Sequence, residues 1–335
     1  MGNLIERIAN ADNLRLAFWK ASRGKRSKET VLQFRENLDG NLYDLRQQLL
    51  ASSIDWGPYH TFLIHDPKKR YISAAPFRDR VAHHAIINVT EPVFESYQIH
   101  DSYACRKGKG LDGAITRALR FACKSRWYMK LDVRKFFNSV DHDVLKGLLK
   151  RRFKDRVVLN LFNGIIDSFA NTPGRGIPIG NLTSQFFANH YLGVIDHYIK
   201  ETIRCKRYVR YMDDFVIWAE SRTALRRIHH KVTCFIQEQL YLDLKSPCMD
   251  TTKRGLTFLG YRVYPGRLRL ARRSRDRFIR KLRRYHANFE EGLWDEEEAA
   301  RHVEPLLAFV CRAESHEYRK RVMKKLGLCP LARTA

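Results

Sequence analysis

Apolar positions recur at helical spacing through residues 1–50, with charged side chains between them and a basic break at "GKRSKE" (24–29). The period then changes. "YHTFLIHDPKKRYISAAP" (59–76) reads as two strands around the turn "DPKK", since aromatic and β-branched residues flank a polar, Pro-containing tip. Helical spacing resumes in "FRDRVAHHAIINVTEPVF" and is expected to end near Pro92, which cannot donate to the helix ladder. "SYACRKGKG" is a basic glycine-containing loop opening into a helix, and "RWYMKLDV" a short, largely apolar strand. "HDVLKGLLKRRF" and "RVVLNLFNGIIDSF" then carry the recurrence of packed helices.

In the second half, "NTPGRGIPIGNLTSQ" (171–185) is a Gly/Pro-rich stretch entering the apolar helix "FFANHYLGVIDHYIKETI". "KRYVRYMDDFVIWA" reads as two strand-like halves meeting at residues 212–214, followed by a helix over 222–240. "GLTFLGYRVYPGRLRL" predicts a hairpin around "YPGR". From residue 272 onward the chain is helical and dense in Arg and Lys, interrupted by the acidic "EEGLWDEEEAARH". This order of strands and helices predicts an α+β fold with a small antiparallel sheet backed by helices, and the composition shift marks a separate C-terminal domain.

A length of 335 residues allows two or three packed regions, and 44% apolar content fits a folded protein. Charge is more informative: 62 Lys and Arg against 36 Asp and Glu give a net +26, which points to a long polyanion as partner. An anionic membrane is the second reading, but no apolar run approaches the roughly 18 residues of a spanning helix, so no membrane association is expected. The N-terminal stretch lacks the pattern of a secretory signal. Seven cysteines without a C-x-x-C pair read as free thiols in a reducing, cytoplasmic compartment. The pairs His83–His84 and His229–His230 point apart on a helix, so they read as surface or satisfied histidines rather than metal ligands.

The candidate chemistry lies in "RYMDDFVIWAE" (210–220), where Asp213 and Asp214 repel one another beside an apolar strand. Upstream, "YMKLDVRKFFNSVD" places Asp132 in another short apolar strand. Alone, Asp132 would be a strand-end cap; paired with the downstream aspartates it suggests a cation site. Joining nucleotides needs divalent ions that activate a 3′-hydroxyl and stabilise the departing pyrophosphate, and magnesium prefers carboxylate oxygens.

From about His65 to Tyr261 the chain resembles reverse transcriptases. "KLDVRKFFNSVD" is similar to the family's first catalytic block and "YMDD" to its second. The resemblance implies a right-hand polymerase: an N-terminal helical extension (1–55), fingers (56–125), a palm (126–265) with a fingers-like helical insertion (142–185), and a short basic helical thumb (266–335). It implies that Asp132, Asp213 and Asp214 serve two Mg2+ ions, with Mn2+ as a substitute, and that the Val133 carbonyl completes the metal site. Phe137 would be the steric gate against a ribose 2′-hydroxyl, while Phe136 suits the core.

"HDPKKRYISA" resembles the fingers hairpin that grips the incoming triphosphate, through Arg70 with Lys68 or Lys69; "YLDLKSP" resembles the block holding a palm lysine, here Lys245. "YACRKGKG" resembles a template-supporting block, placing Arg106 near nucleic acid, and "FLGY" (258–261) the primer grip with Gly260. Tyr211, Arg272, Arg273 and Arg275 would also meet nucleic acid. "IPIGNLTSQ" is similar to the reverse transcriptases of diversity-generating retroelements, which misincorporate opposite template adenines. Ile179, Gly180 and Gln185 would line the nucleotide pocket, an aliphatic Ile179 removing hydrogen bonds from its wall. The implied partners are a template RNA, an RNA–DNA duplex, deoxynucleoside triphosphates and a small basic accessory variability protein. A retron- or defence-type enzyme is the alternative, then an intron-derived one, with an idle RNA-binding scaffold as the non-enzymatic rival.

Overall fold

The computed structural model describes residues 4–65 and 69–327, and the first lysine of the expected triphosphate grip, Lys68, lies outside them. Four helices open the chain: α1 (Leu4–Ile8), α2 (Ala11–Ser22), α3 (Glu29–Glu36) and α4 (Leu38–Leu50). Strands β1 (His60–Ile64) and β2 (Arg70–Ala74) pair antiparallel, with Phe62 opposite Ile72 and Ile64 opposite Arg70. After α5 (Phe77–Tyr97) and α6 (Gly110–Cys123) come β3 (Trp127–Asp132), α7 (Phe136–Ser139), α8 (His142–Arg152), α9 (Arg156–Asp167) and α10 (Leu182–His197). β4 (Tyr208–Tyr211), β5 (Asp214–Ala219), α11 (Arg222–Leu240) and β6 (Cys248–Thr251) follow. β7 (Leu256–Phe258), β8 (Tyr261–Tyr264), β9 (Arg267–Leu270), α12 (Arg272–Glu290), α13 (Glu296–Cys311) and α14 (His316–Lys325) close the described chain.

Two compact units result. The first takes the described residues of Met1–Gly110, Leu131–Phe215 and Arg227–Pro247; the second takes those of Leu111–Lys130, Val216–Arg226 and Cys248–Ala335. A four-stranded sheet has the order β4–β5–β3–β6. β3 pairs antiparallel with β6, Trp127 opposite Thr251 and Lys130 opposite Cys248. In the second unit β7, β8 and β9 form an antiparallel meander, with Tyr261 opposite both Phe258 and Leu270.

The core of the first unit is an aromatic cluster. Phe94 lies 5.1 Å from Phe153 and 5.8 Å from Phe162, and Phe162 meets Phe187 edge-on at 5.5 Å. This cluster explains why α5 runs through Pro92 instead of stopping there. An interior proline costs roughly 3 kcal/mol, but ending the helix would withdraw Phe94, 2% exposed, from a set of ring pairs worth about 0.5–1.5 kcal/mol each beyond their burial. Helix α10 likewise begins earlier than its apolar run suggests, at Leu182, and its last turn widens into a π-helical turn over Tyr198–Thr202.

The second unit is built on Phe258, Tyr261, Phe278, Leu282 and Tyr285, all buried, with Phe309 4.7 Å from Tyr261. The acidic stretch expected to interrupt the basic helical domain does so over residues 291–295, between α12 and α13, and its remainder opens α13: Asp295 caps that helix by accepting from the Glu298 amide, and Glu296, Glu297 and Glu298 fill its first turn. Negative charge there complements the helix dipole. Among the described residues no helix is long and apolar enough to cross a membrane, and the described cysteines are free.

Candidate active site

Three segments of the first unit converge. β3 ends on Asp132, and the chain continues beside the segment after α11: Arg134 donates to the Asp243 carbonyl at 2.7 Å, and the Lys245 amide donates to the Asp132 carbonyl at 2.9 Å. Val133 between them is 1% exposed and bridges Leu244. The same pairing puts the Lys245 ammonium 2.5 Å from Asp132 Oδ1. The third segment is the turn from β4 to β5. Met212 there has φ +53°, an uncommon conformation for a non-glycine residue. Asp213 follows in the turn and Asp214 begins β5.

Electrostatics tie these segments together. Burial pushes the Asp213 carboxyl above its ordinary range; an amide of the turn pulls it back, the charges of Asp132 and Asp214 push it further up, and Lys245 opposes them. The donors are hard carboxylate oxygens, the set that Mg2+ or Mn2+ prefers, and a divalent ion would relieve the repulsion they create. They fit such an ion chemically. Among the described residues no three His, Cys, Asp or Glu side chains are gathered at ligating geometry.

Around this centre the backbone sets the remaining positions. Lys135 is left-handed (φ +44°) and turns the chain from β3 into α7, sending Phe136 into the core at 2% exposure and leaving Phe137 half-buried against it, rings 5.4 Å apart. The Ile179 carbonyl accepts from the Ser73 amide at 2.9 Å, and Asn181 Oδ1 accepts from the Ala75 amide at 3.3 Å, so the 179–181 segment is stitched to β2. Gly180 has φ +122°, and a Cβ there would lie 2.7 Å from Ile72 Cγ2. Both the conformation and the close approach require glycine. Ile72 thus packs against the backbone at Gly180, though nothing in its sequence context singles it out. Ile179 and Gln185 are half-buried, and Lys69 and Arg70 are exposed on the hairpin.

Arg106, expected near nucleic acid, is held within its own loop. Its side chain is 7% exposed, paired with Glu95, and donates to the Ile99 and Ser102 carbonyls at 2.6 Å each. It braces the loop from inside. Tyr211 is half-buried at the end of β4, where burial pushes its hydroxyl pKa up. His83 departs from expectation: it is 1% exposed, packed on Trp56, and its ring nitrogens have no hydrogen-bond partner among the described residues.

The remaining expected residues lie in the second unit. Gly260 (φ +87°) leads into β8; its carbonyl accepts from Ser274 Oγ at 2.7 Å, and a Cβ would come 2.7 Å from the Phe309 ring. Arg272, Arg273 and Arg275 sit on the first turn of α12 and line a cleft of about 1000 Å³ with Arg262, Arg269 and Arg321. Three arginines at a helix N-terminus oppose the dipole. Such a placement suits an anion rather than an isolated helix.

The family profile described as "Reverse transcriptase (RNA-dependent DNA polymerase)" matches residues 64–263, more than half of the chain and all three converging segments described above. The chain belongs to this family. It is 26% identical over 216 residues to the putative COX1/OXI3 intron 1 protein of Saccharomyces cerevisiae, covering 60% of this chain and 26% of that protein. It is 26% identical over 293 residues to Protein YkfC of Escherichia coli K12, covering 72% and 75% of the two. The chain therefore spans about a quarter of the yeast relative and three quarters of the bacterial one. The fold resembles apo telomerase from Candida tropicalis with a TM-score of 0.52 at 13% identity, over 80% of this chain and 59% of the telomerase. The α+β polymerase architecture is thus shared where little sequence is.

Sequence reasoning missed one group beneath the β4–β5 turn, the pair Arg210 and Asp196. The available signal was a lone charge inside each of two apolar runs, "YVRY" and "LGVIDHY".

Proposed function

We propose that this reverse transcriptase family member is an RNA-directed DNA polymerase, with Asp132 and Asp213 as the principal metal-holding carboxylates and Asp214 beside them. The observation that carries this reading is that Asp132 at the end of β3, paired with Lys245, and Asp213 in the β4–β5 turn come from separate segments yet lie near enough for their charges to act on one another, within the stretch the family profile matches. A folded protein gains nothing in stability from burying repelling carboxylates; a cation-dependent reaction does require them. Two bound divalent ions, with the Val133 carbonyl as a further oxygen donor, would supply activation of a primer 3′-hydroxyl and charge neutralisation at the departing pyrophosphate.

The chain's own residues do the rest. Lys245 supplies a positive charge beside Asp132, and Arg70 and Lys69 offer cations from the hairpin to an incoming triphosphate. Phe137 sits where a rigid ring can deny space to a 2′-hydroxyl. In this reading residues 1–55 form an N-terminal extension, 56–125 the fingers, 126–265 the palm and 266–335 the thumb, whose arginine cleft takes the phosphates of a template–primer duplex. The setting is a reducing cytoplasm.

For the subtype, the aliphatic Ile179, its backbone stitched to β2 and its neighbour Gly180 close to Ile72, supports a pocket with few polar constraints on the nascent pair, as the diversity-generating type requires. That type also calls for a small basic accessory protein. The likeness to a yeast intron protein favours a second reading, an intron-type enzyme. One experiment addresses both levels: extend a DNA primer on an RNA template with deoxynucleotides and sequence the products. Loss of synthesis in the Asp132→Ala protein supports the activity. Changes concentrated at template adenines support the first subtype, and evenly spread rare errors the second. Synthesis undiminished by Asp132→Ala would overturn the activity itself.

A further inference from the structure

Arg210 is the largest fully buried side chain described, and it lies directly under the catalytic turn. It and Asp196 are both 0% exposed, joined by Nε to Oδ1 at 2.8 Å and by an Nη2 to Oδ2 pairing of 2.6 Å. Tyr208 donates its hydroxyl to the same carboxylate at 2.6 Å. The other donors of the guanidinium are also committed. One nitrogen reaches Asn189 Oδ1 at 2.9 Å and the Met212 carbonyl at 3.2 Å; the second reaches Gln98 Oε1 at 3.2 Å. The backbone of Arg210 is fixed as well, its amide donating to the Asp101 carbonyl and its carbonyl accepting from the Tyr103 amide.

Burying an ion pair this deeply is a poor route to stability, because apolar residues of similar volume usually do as well or better. Its placement gives it a different use. Met212 is the left-handed residue immediately before Asp213, and its carbonyl belongs to the peptide plane that aims Asp213. Without a donor below it, that plane has little reason to hold a strained orientation. Asp196, Asn189 and Gln98 come from α10 and the loop after α5, so the guanidinium clamps the turn to the helical layer behind it.

We infer that Arg210 is the positioning residue of the catalytic turn: held by Asp196, it fixes the Met212 carbonyl and thereby the direction of Asp213. The inference rests on the reading of Asp213 as a catalytic carboxylate. Arg210 itself touches no substrate. Its loss is therefore expected to lower turnover without weakening nucleotide or duplex binding.

The test separates positioning from folding. In the full chain, Arg210→Met combined with Asp196→Leu removes both charges together and replaces them with apolar side chains. The double variant leaves the Tyr208 hydroxyl and the Asn189 and Gln98 amide oxygens without these partners, so its thermal midpoint is expected to fall while the chain still folds, with its KM for deoxynucleotide and its affinity for an RNA–DNA duplex within about twofold of wild type. Its kcat is expected to fall by about 100-fold, the cost of a misplacement near 1 Å in a catalytic geometry. Hydrogen exchange in the metal-free protein is expected to speed up in the peptide covering 208–216 and not elsewhere. Arg210→Lys, which keeps the buried charge but lacks the planar fork, gives a second route if the double variant does not fold, with the same split between kcat and KM expected. A folded variant of either kind with wild-type kcat and unchanged exchange at 208–216 overturns the inference. Asp213→Ala, run alongside, tells the failures apart: if it retains activity the underlying reading fails, and if it is inactive while the Arg210 variants are normal, only the clamp does.

Discussion

The Lys245 ammonium lies 2.5 Å from Asp132 Oδ1, while the Lys245 amide donates to the carbonyl of the same aspartate at 2.9 Å. Side chain and main chain thus register one segment against the other, and the lysine offsets one charge of a repelling group. Both side chains are substantially exposed, at 50% and 33%, so the pair adds little to stability, about 0–1 kcal/mol. Its worth is electrostatic and local. Lys245→Met is expected to leave the thermal midpoint nearly unchanged and to raise the KM for deoxynucleotide about tenfold, since a charge-assisted hydrogen bond to phosphate is worth some 1.5–3 kcal/mol. Single-nucleotide kinetics decide this. An unchanged KM with a lower midpoint would make the pair purely structural.

Asp132→Ala and Asp213→Ala are expected to reduce template-directed synthesis by about a thousandfold or more, on the order of losing a major electrostatic element of a transition state. Folding and RNA binding should persist. Asp213 adds a stability signature of its own: its carboxyl is pushed up by burial and by its neighbours' charges, so the uncharged isostere Asp213→Asn should unfold no earlier than wild type at neutral pH in the absence of metal. A lower midpoint for that variant would mean the charge is stabilised by something other than a cation.

Phe137→Ala should admit ribonucleotides. The ring is half-buried and meets Phe136 edge-on, so its removal opens space at the surface of the core rather than within it. The expected result is a ratio of kcat/KM for deoxy- over ribonucleotide reduced by about 10-fold or more, with some loss of overall rate. An unchanged ratio would leave Phe137 a packing residue.

Much of this site could be read from the chain because its parts are local. The hairpin of β1 and β2, the strand bearing Asp132, and the two strands meeting at the tandem aspartates each announce themselves within a short stretch of sequence. What escaped depends on distant partners. Pro92 sits inside α5 because Phe94 needs its aromatic neighbours, and β6 carries the unpatterned "CMDT" because pairing with β3 alone makes it a strand. The partners of the Arg106 guanidinium, Glu95 and the Ile99 and Ser102 carbonyls, are not signalled by its local sequence. Arg210 looked like one more basic residue in a chain of +26, and only Asp196 on another element gives it a role.

The arginine cleft of the second unit should govern salt dependence. Truncation before α12 would be a poor test, because Phe278, Leu282 and Tyr285 on that helix are core. Arg272→Gln, Arg273→Gln and Arg275→Gln together neutralise the charges and spare the buried face. Duplex affinity should fall, and the slope of log K against log salt should become shallower by about 2–3, near one counterion for each phosphate the arginines no longer neutralise. An unchanged slope in the folded triple variant would place the duplex elsewhere.

Acid stability should depend on His83. This ring is buried against Trp56, and burial, aided by the nearby charges of His84 and Arg80, pushes its pKa from 6.5 down to about 3. The native protein therefore leaves His83 neutral while the unfolded chain protonates it, so stability is fully present above about pH 6.5 and is lost progressively as pH falls toward 3. At pH 5 the gap below the unfolded value is about 1.5 units, or roughly 2 kcal/mol from this one residue. His83→Phe keeps a ring of similar size on Trp56 and removes the proton site. Urea unfolding at pH 7 and pH 5 should then show the variant losing about 2 kcal/mol less than wild type between the two conditions, while the two proteins differ little at pH 7. The other titrating groups, including His190, pushed down to about 4, contribute to both proteins and cancel in the comparison. Equal losses in variant and wild type would mean that the ring is hydrated or paired in solution, and that its burial carries no acid sensitivity.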